Sequence, residues 1–157
     1  MQIIIKTVTK GYDTRNNLEN LITYMLSDKC ESRPCCFDYF NAGSIIAYEE
    51  MAEFQNNYGK TENRFIRHVI VNFKDAFCID TETAVKLAYK LALFYSSKYQ
   101  IIFAVYEEKK HIHVHFVLST VNFAEETKLS ENLFEFVKFK GCAEYVINDY
   151  EDNLNRY

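Results

Sequence analysis

Apolar and polar positions along the chain follow two periods, and the switches between them predict its elements. Residues 2–8 read as a strand with Ile3, Ile4 and Ile5 buried. Asn16 followed by Glu19 has the form of a capping box. Leu18, Leu21, Ile22, Met25 and Leu26 then recur at helical spacing and make a buried stripe. Tyr24 falls beside that stripe, at the edge of the core with its hydroxyl outward. Residues 28–43 are polar and irregular and predict a loop, with a short strand or turn near 37–40. Residues 44–58 predict a second helix, stopped by Gly59. Residues 64–73 alternate as a strand. Phe65, Val69, Val71 and Phe73 take one face, and Ile66, His68, Ile70 and Asn72 the other. The clearest helix covers 80–95, with Ala84, Leu87, Ala88, Leu91, Ala92 and Tyr95 on one side. Two strands follow, 99–107 and 111–119, joined by the tight polar turn Glu108-Lys109-Lys110. Residues 131–150 predict a closing helix, kinked or split at Gly141. Strands joined by a short turn pair antiparallel. The expected fold class is therefore α+β, a mostly antiparallel central sheet flanked by helices.

Composition narrows the class. A chain of 157 residues fits a single domain over 1–157 with a proper core. One Pro and four Gly leave no room for a low-complexity linker. No apolar run approaches the roughly 20 residues of a membrane span, and the first residues lack a signal-peptide pattern, so a cytoplasmic location is expected. The five cysteines then read as free thiols. Cys30, Cys35 and Cys36 cluster without the paired spacing of a zinc site. A net charge of −4 excludes a strong non-specific DNA binder and leaves only local basic patches.

The chemistry concentrates in His111-Ile112-His113-Val114-His115. Side chains alternate along a strand, so these three imidazoles share one face. Neutral imidazole is the commonest ligand for divalent metals. His68, alone on its strand, reads instead as a satisfied sheet histidine.

The strand 99–104, the histidine strand and Val121-Asn122-Phe123 together resemble the third motif of the plasmid and conjugative-element relaxases. These are mobilisation nucleases of the HUH endonuclease group. Residues 67–74 with 81–97 resemble the family's second block. Leu21-Ile22-Thr23-Tyr24-Met25-Leu26-Ser27-Asp28-Lys29 resembles its first, a helix carrying a nucleophilic tyrosine. The resemblance covers nearly the whole chain in the family's order. It implies an HUH/relaxase-like fold and an enzyme that cleaves one DNA strand at a transfer origin through a 5′-phosphotyrosine intermediate, initiating plasmid mobilisation. Tyr24 would be the nucleophile. His113 and His115, with His111 or Glu108, would hold a divalent metal (Mg or Mn). Lys29, Arg67, Lys109 and Lys110 would contact single-stranded or locally melted origin DNA, with accessory relaxosome proteins as further partners.

The chain departs from the family's pattern. Many members carry a third ligand histidine at the end of the preceding strand, then an aspartate, where this chain has Tyr106 and Glu108. The Asn often found between the last two histidines is Val114, and a following Asn is Ser119. Tyr106 reads as a strand-end aromatic, or as a stacking or hydrogen-bonding group in the ligand's place. These departures feed an alternative: a catalytically weak or inactive relaxase-like DNA-binding module.

Overall fold

A computed structural model of the protein describes residues 2–8, 15–26, 34–40, 47–57, 66–74, 79–108, 111–125, 127–128 and 133–154. The elements run β1 (Gln2–Val8), α1 (Arg15–Leu26), β2 (Pro34–Phe40), α2 (Ala47–Asn57), β3 (Ile66–Lys74), α3 (Thr81–Ser96), β4 (Ile101–Glu108), β5 (His111–Ser119), the short β6 (Val121–Asn122) and β7 (Thr127–Lys128), and α4 (Leu133–Leu154). Five strands form one sheet in the order β1-β3-β5-β4-β2. Every neighbouring pair is antiparallel. The expected α+β architecture is therefore present, with the histidine strand β5 at the centre of the sheet.

Each face of the sheet carries its own helices. On one face Val69, Val71, Phe103, Val105, Val114 and Phe116 pack against Leu87, Leu91 and Tyr95 of α3 and Phe139 and Ala143 of α4. On the other, Ile66, Ile102, Ala104, Tyr106 and Val117 pack against Ile22 and Met25 of α1 and Met51 and Ala52 of α2. The first core fixes the register of β5. A slip by one residue would move Ile112, Val114, Phe116 and Leu118 out of it. At roughly 1.5–3 kcal/mol for each large apolar side chain, that loss rivals the whole net stability of a domain. The histidines are thus locked to the other face by residues that touch no ligand.

The helix boundaries follow local chemistry. Asp80 caps α3, its carboxylate accepting from the Thr83 backbone N–H at 2.8 Å. Hydrogen bonding from the Thr83 side chain, and then from this backbone N–H, holds the Asp80 carboxyl below the usual carboxylate range. Two expectations need correction. The short strand or turn expected near 37–40, within a loop over 28–43, is a longer edge strand, Pro34–Phe40, paired with β4 and with a register irregularity between Pro34 and Cys36. The closing helix is not split at Gly141 but runs continuously for 22 residues from Leu133 to Leu154. A Cβ built at Gly141 meets nothing within 4 Å. Gly141→Ala is accordingly expected to stabilise the protein by about 0.5–1 kcal/mol, read as a raised urea midpoint.

Candidate active site

β5 carries a gradient of burial along its site-bearing face. Ser119 and Val117 are buried beneath the helices, His115 and His113 are half-buried, and His111 is exposed. The helices α1 and α2 cover the deep end. Gln55 of α2 reaches Ser119 there, its Nε2 donating to Oγ at 3.2 Å. The imidazoles emerge where that cover ends.

Register assembles their neighbours. Across β5, His113 pairs with Tyr106 of β4 and Asn72 of β3, and His115 with Ala104 and Ile70. Tyr106 lies parallel to His113, with ring centroids 5.2 Å apart and planes 11° from coplanar. His115 meets Tyr106 edge-on at 5.1 Å and His113 at 5.2 Å. A diagonal neighbour on β3 completes the group. His68 Nε2 lies 2.9 Å from His115 Nδ1. His68 is only 4% exposed, and burial lowers its pKa to about 4. Burial, reinforced by His68 and His113, lowers that of His115 to about 3. Both rings are therefore neutral at physiological pH.

Tyr106 links this cluster to α1. It is 1% exposed, and its hydroxyl donates to the Met25 carbonyl oxygen at 3.0 Å. Met25 sits in the last turn of α1, where carbonyls lack intrahelical partners. The phenol thus caps a helix end and holds the main chain one residue beyond Tyr24. Tyr24 itself is 49% exposed, while its neighbours Ile22 and Met25 are in the core. Tyr106 is therefore more than a strand-end aromatic: where a third imidazole was expected, it ties the tyrosine helix to the histidine strand. Tyr106→Phe is expected to cost about 1–2 kcal/mol, because a buried carbonyl loses its donor. A urea titration beside wild type measures it.

The remaining expected residues divide. His111 stands opposite Glu108 in the register; the Glu108 side chain lies outside the described residues. Lys29, Lys109 and Lys110 also lie outside them. Arg67 lies apart from this group. It is 6% exposed and alternates with Val69 and Val71 toward α3, on the face away from the histidines. There its guanidinium hydrogen-bonds the Tyr95 phenol, whose pKa burial pushes up. A cation that does share the histidine face is Lys6 of β1, exposed and opposite Ile70 in the register.

Among the described residues no group of three or more His, Cys, Asp or Glu side chains is arranged to hold a metal ion. The face offers a pair of neighbouring imidazoles, His113 and His115, with ring centroids 5.2 Å apart. Such a pair fits a divalent cation as a partial ligand set, completed by water and phosphate oxygens.

No helix among the described residues is long and apolar enough to cross a membrane. None of the curated proteins compared matches the chain. A family model described as relaxase, MobA/VirD2-like, nuclease domain, matches residues 24–151. The matched segment opens on Tyr24 and takes in all four histidines. The α+β sheet, the paired imidazoles and a match over most of the length lead to one assignment: the chain belongs to the relaxase family, as a MobA/VirD2-like nuclease domain.

Proposed function

We propose that this nuclease domain nicks one strand of origin-of-transfer DNA by transesterification, with Tyr24 as nucleophile. The observation that supports it best is the Tyr106–Met25 hydrogen bond. It couples the segment carrying Tyr24 to the strand carrying His113 and His115. Tyr24 Oη attacks the scissile phosphorus, the P–O3′ bond breaks, and the departing O3′ takes a proton to become a hydroxyl. The 5′ phosphate stays on Tyr24 as a phosphodiester, so the reverse attack by a 3′ hydroxyl reseals the strand. A tyrosine is a weak nucleophile at its ordinary pKa of about 10, and the step needs stabilisation of charge on the phosphate.

His113 and His115 would hold a divalent cation, Mg or Mn, with His111 or Glu108 as a further ligand. Such a cation supplies electrostatic stabilisation to the phosphate oxygens when bound. The protein's own groups do the placing. The sheet fixes both imidazoles on a rigid strand, and Tyr106 blocks the ring of His113 on one side. Lys6 and Asn72 border the same face and would meet backbone phosphates, in place of Arg67. The exposed, half-open end of the face favours single-stranded or locally melted DNA, whose phosphates can approach a sheet-borne site. Plasmid mobilisation, with accessory relaxosome proteins, is the process this reaction would begin.

Tyr106 in the position of a third imidazole favours a second reading, a DNA-binding module with little or no cleavage. Incubation with single-stranded origin oligonucleotides and Mn²⁺ or Mg²⁺ separates the two. A protein–DNA adduct that survives denaturing electrophoresis, and is lost with EDTA, is expected. Salt-dependent binding with no adduct under either metal would establish the second reading instead.

A further inference from the structure

We infer that His68 is a positioning residue for the site: its Nε2 accepts the Nδ1–H of His115 and so directs the Nε2 lone pair of His115 to a bound cation. This rests on the proposed role of His115 as a ligand. The geometry identifies the contact. The two nitrogens are 2.9 Å apart, while the ring centroids are 4.9 Å apart with planes inclined by 35°. At 2.9 Å the two nitrogens are within hydrogen-bonding distance, and we take His68 as the partner of His115 in that bond.

A hydrogen bond between two neutral imidazoles needs one N–H and one lone pair, which leaves two arrangements. If His68 donates, His115 carries its own proton on Nε2 and has no lone pair for a cation. If His115 donates, its Nε2 is a ligand. A ligating histidine commonly donates its other N–H to a partner that fixes tautomer and ring orientation. His68 is built for that task. It sits on β3 one register step from His115, opposite Val117, and is buried. Tyr106 and His113 pack against His115 from the other strand and along its own. The ring of His115 is thus held at Nδ1 and on its sides.

The test reads the tautomer directly. Long-range ¹H–¹⁵N correlation spectra of the metal-free full chain at pH 7, with the four histidines assigned by single substitutions, should show His115 protonated on Nδ1. In His68→Leu the His115 proton should shift toward Nε2. Mn²⁺ affinity, followed by electron paramagnetic resonance of the free ion, should fall about 10–100-fold. His68→Gln, whose Oε1 can accept, should restore most of both, and it serves also where the leucine variant fails to fold. A His115 proton found on Nε2 in the wild type overturns the inference. So does an unchanged Mn²⁺ affinity in His68→Leu, or a loss equal to that of His115→Ala without rescue by Gln, which would make His68 a ligand. A wild type with the Nδ1–H tautomer that binds no Mn²⁺ supports the hydrogen-bond assignment and overturns the cation reading alone.

Discussion

Tyr24→Phe is expected to leave the fold intact and to abolish both the covalent adduct and strand cleavage. Loss of a covalent nucleophile removes up to about 10⁶-fold of rate, so cleavage should fall to the limit of detection. The fold should tolerate the change because Tyr24 is half exposed on α1, between core positions Ile22 and Met25 that are unaltered. Removing one hydroxyl at such a site is worth within about 0.5 kcal/mol. Binding to the uncleaved oligonucleotide should persist, since Lys6 and Asn72, proposed above to meet backbone phosphates, are unaltered. Parallel measurement of urea midpoint, oligonucleotide binding and adduct yield checks all three. Adduct formation that survives in Tyr24→Phe would move the nucleophile to another of the chain's tyrosines.

Acidification is expected to destabilise the metal-free protein well before its carboxylates titrate. His68 has a pKa of about 4 in the fold against an ordinary 6.5, because burial disfavours the charged ring. Between those values the unfolded chain binds a proton that the native state does not. Stability is therefore full above pH 6.5, falls as the pH drops through that window, and levels off below the folded value. At pH 5 the loss from His68 is about 2 kcal/mol. His115 is lowered to about 3 in the fold, and its half-buried ring adds a smaller share in the same direction. Asp and Glu, with ordinary values near about 4, contribute little above pH 5. Urea midpoints at pH 7, 6 and 5 measure the effect, and His68→Gln should flatten the profile. A midpoint unchanged from pH 7 to 5 in the wild type would mean that both imidazoles accept protons within the fold.

What could be read from the sequence was local. The stripe Ala84-Leu87-Ala88-Leu91-Ala92-Tyr95 predicts α3 because one helix face packs on the sheet. The hairpin of β4 and β5 follows from alternation around a polar turn. Only the 37–40 end of β2 was legible, as a short strand or turn, because Pro34-Cys35-Cys36-Phe37-Asp38-Tyr39-Phe40 has no clean period, and an edge strand is held by pairing with β4 on one side only. Arg67 carried its own warning. The alternation that put Val69 and Val71 on the core face put Arg67 there too. His68 and Tyr106 carried none. The His68–His115 contact spans 47 residues and depends on β3 lying beside β5, while the Tyr106–Met25 bond spans 81. Neither distance is encoded in local spacing, so His68 read as a satisfied sheet histidine without its partner. Tyr106 looked like a gap in a ligand set when it is a tie between two elements.

The two-sidedness of β5 has a consequence for how such a domain can change over time. Its stability resides in Ile112, Val114, Phe116 and Leu118, and its candidate chemistry in His111, His113 and His115 on the reverse. Substitutions at the open end of the reverse side can alter or extinguish reactivity while the fold persists. A lineage carrying this strand can drift from nuclease to passive DNA clamp, or acquire a different ligand set, without passing through an unfolded ancestor. Tyr106, buried and bonded where an imidazole was expected, has the form of one such exchange.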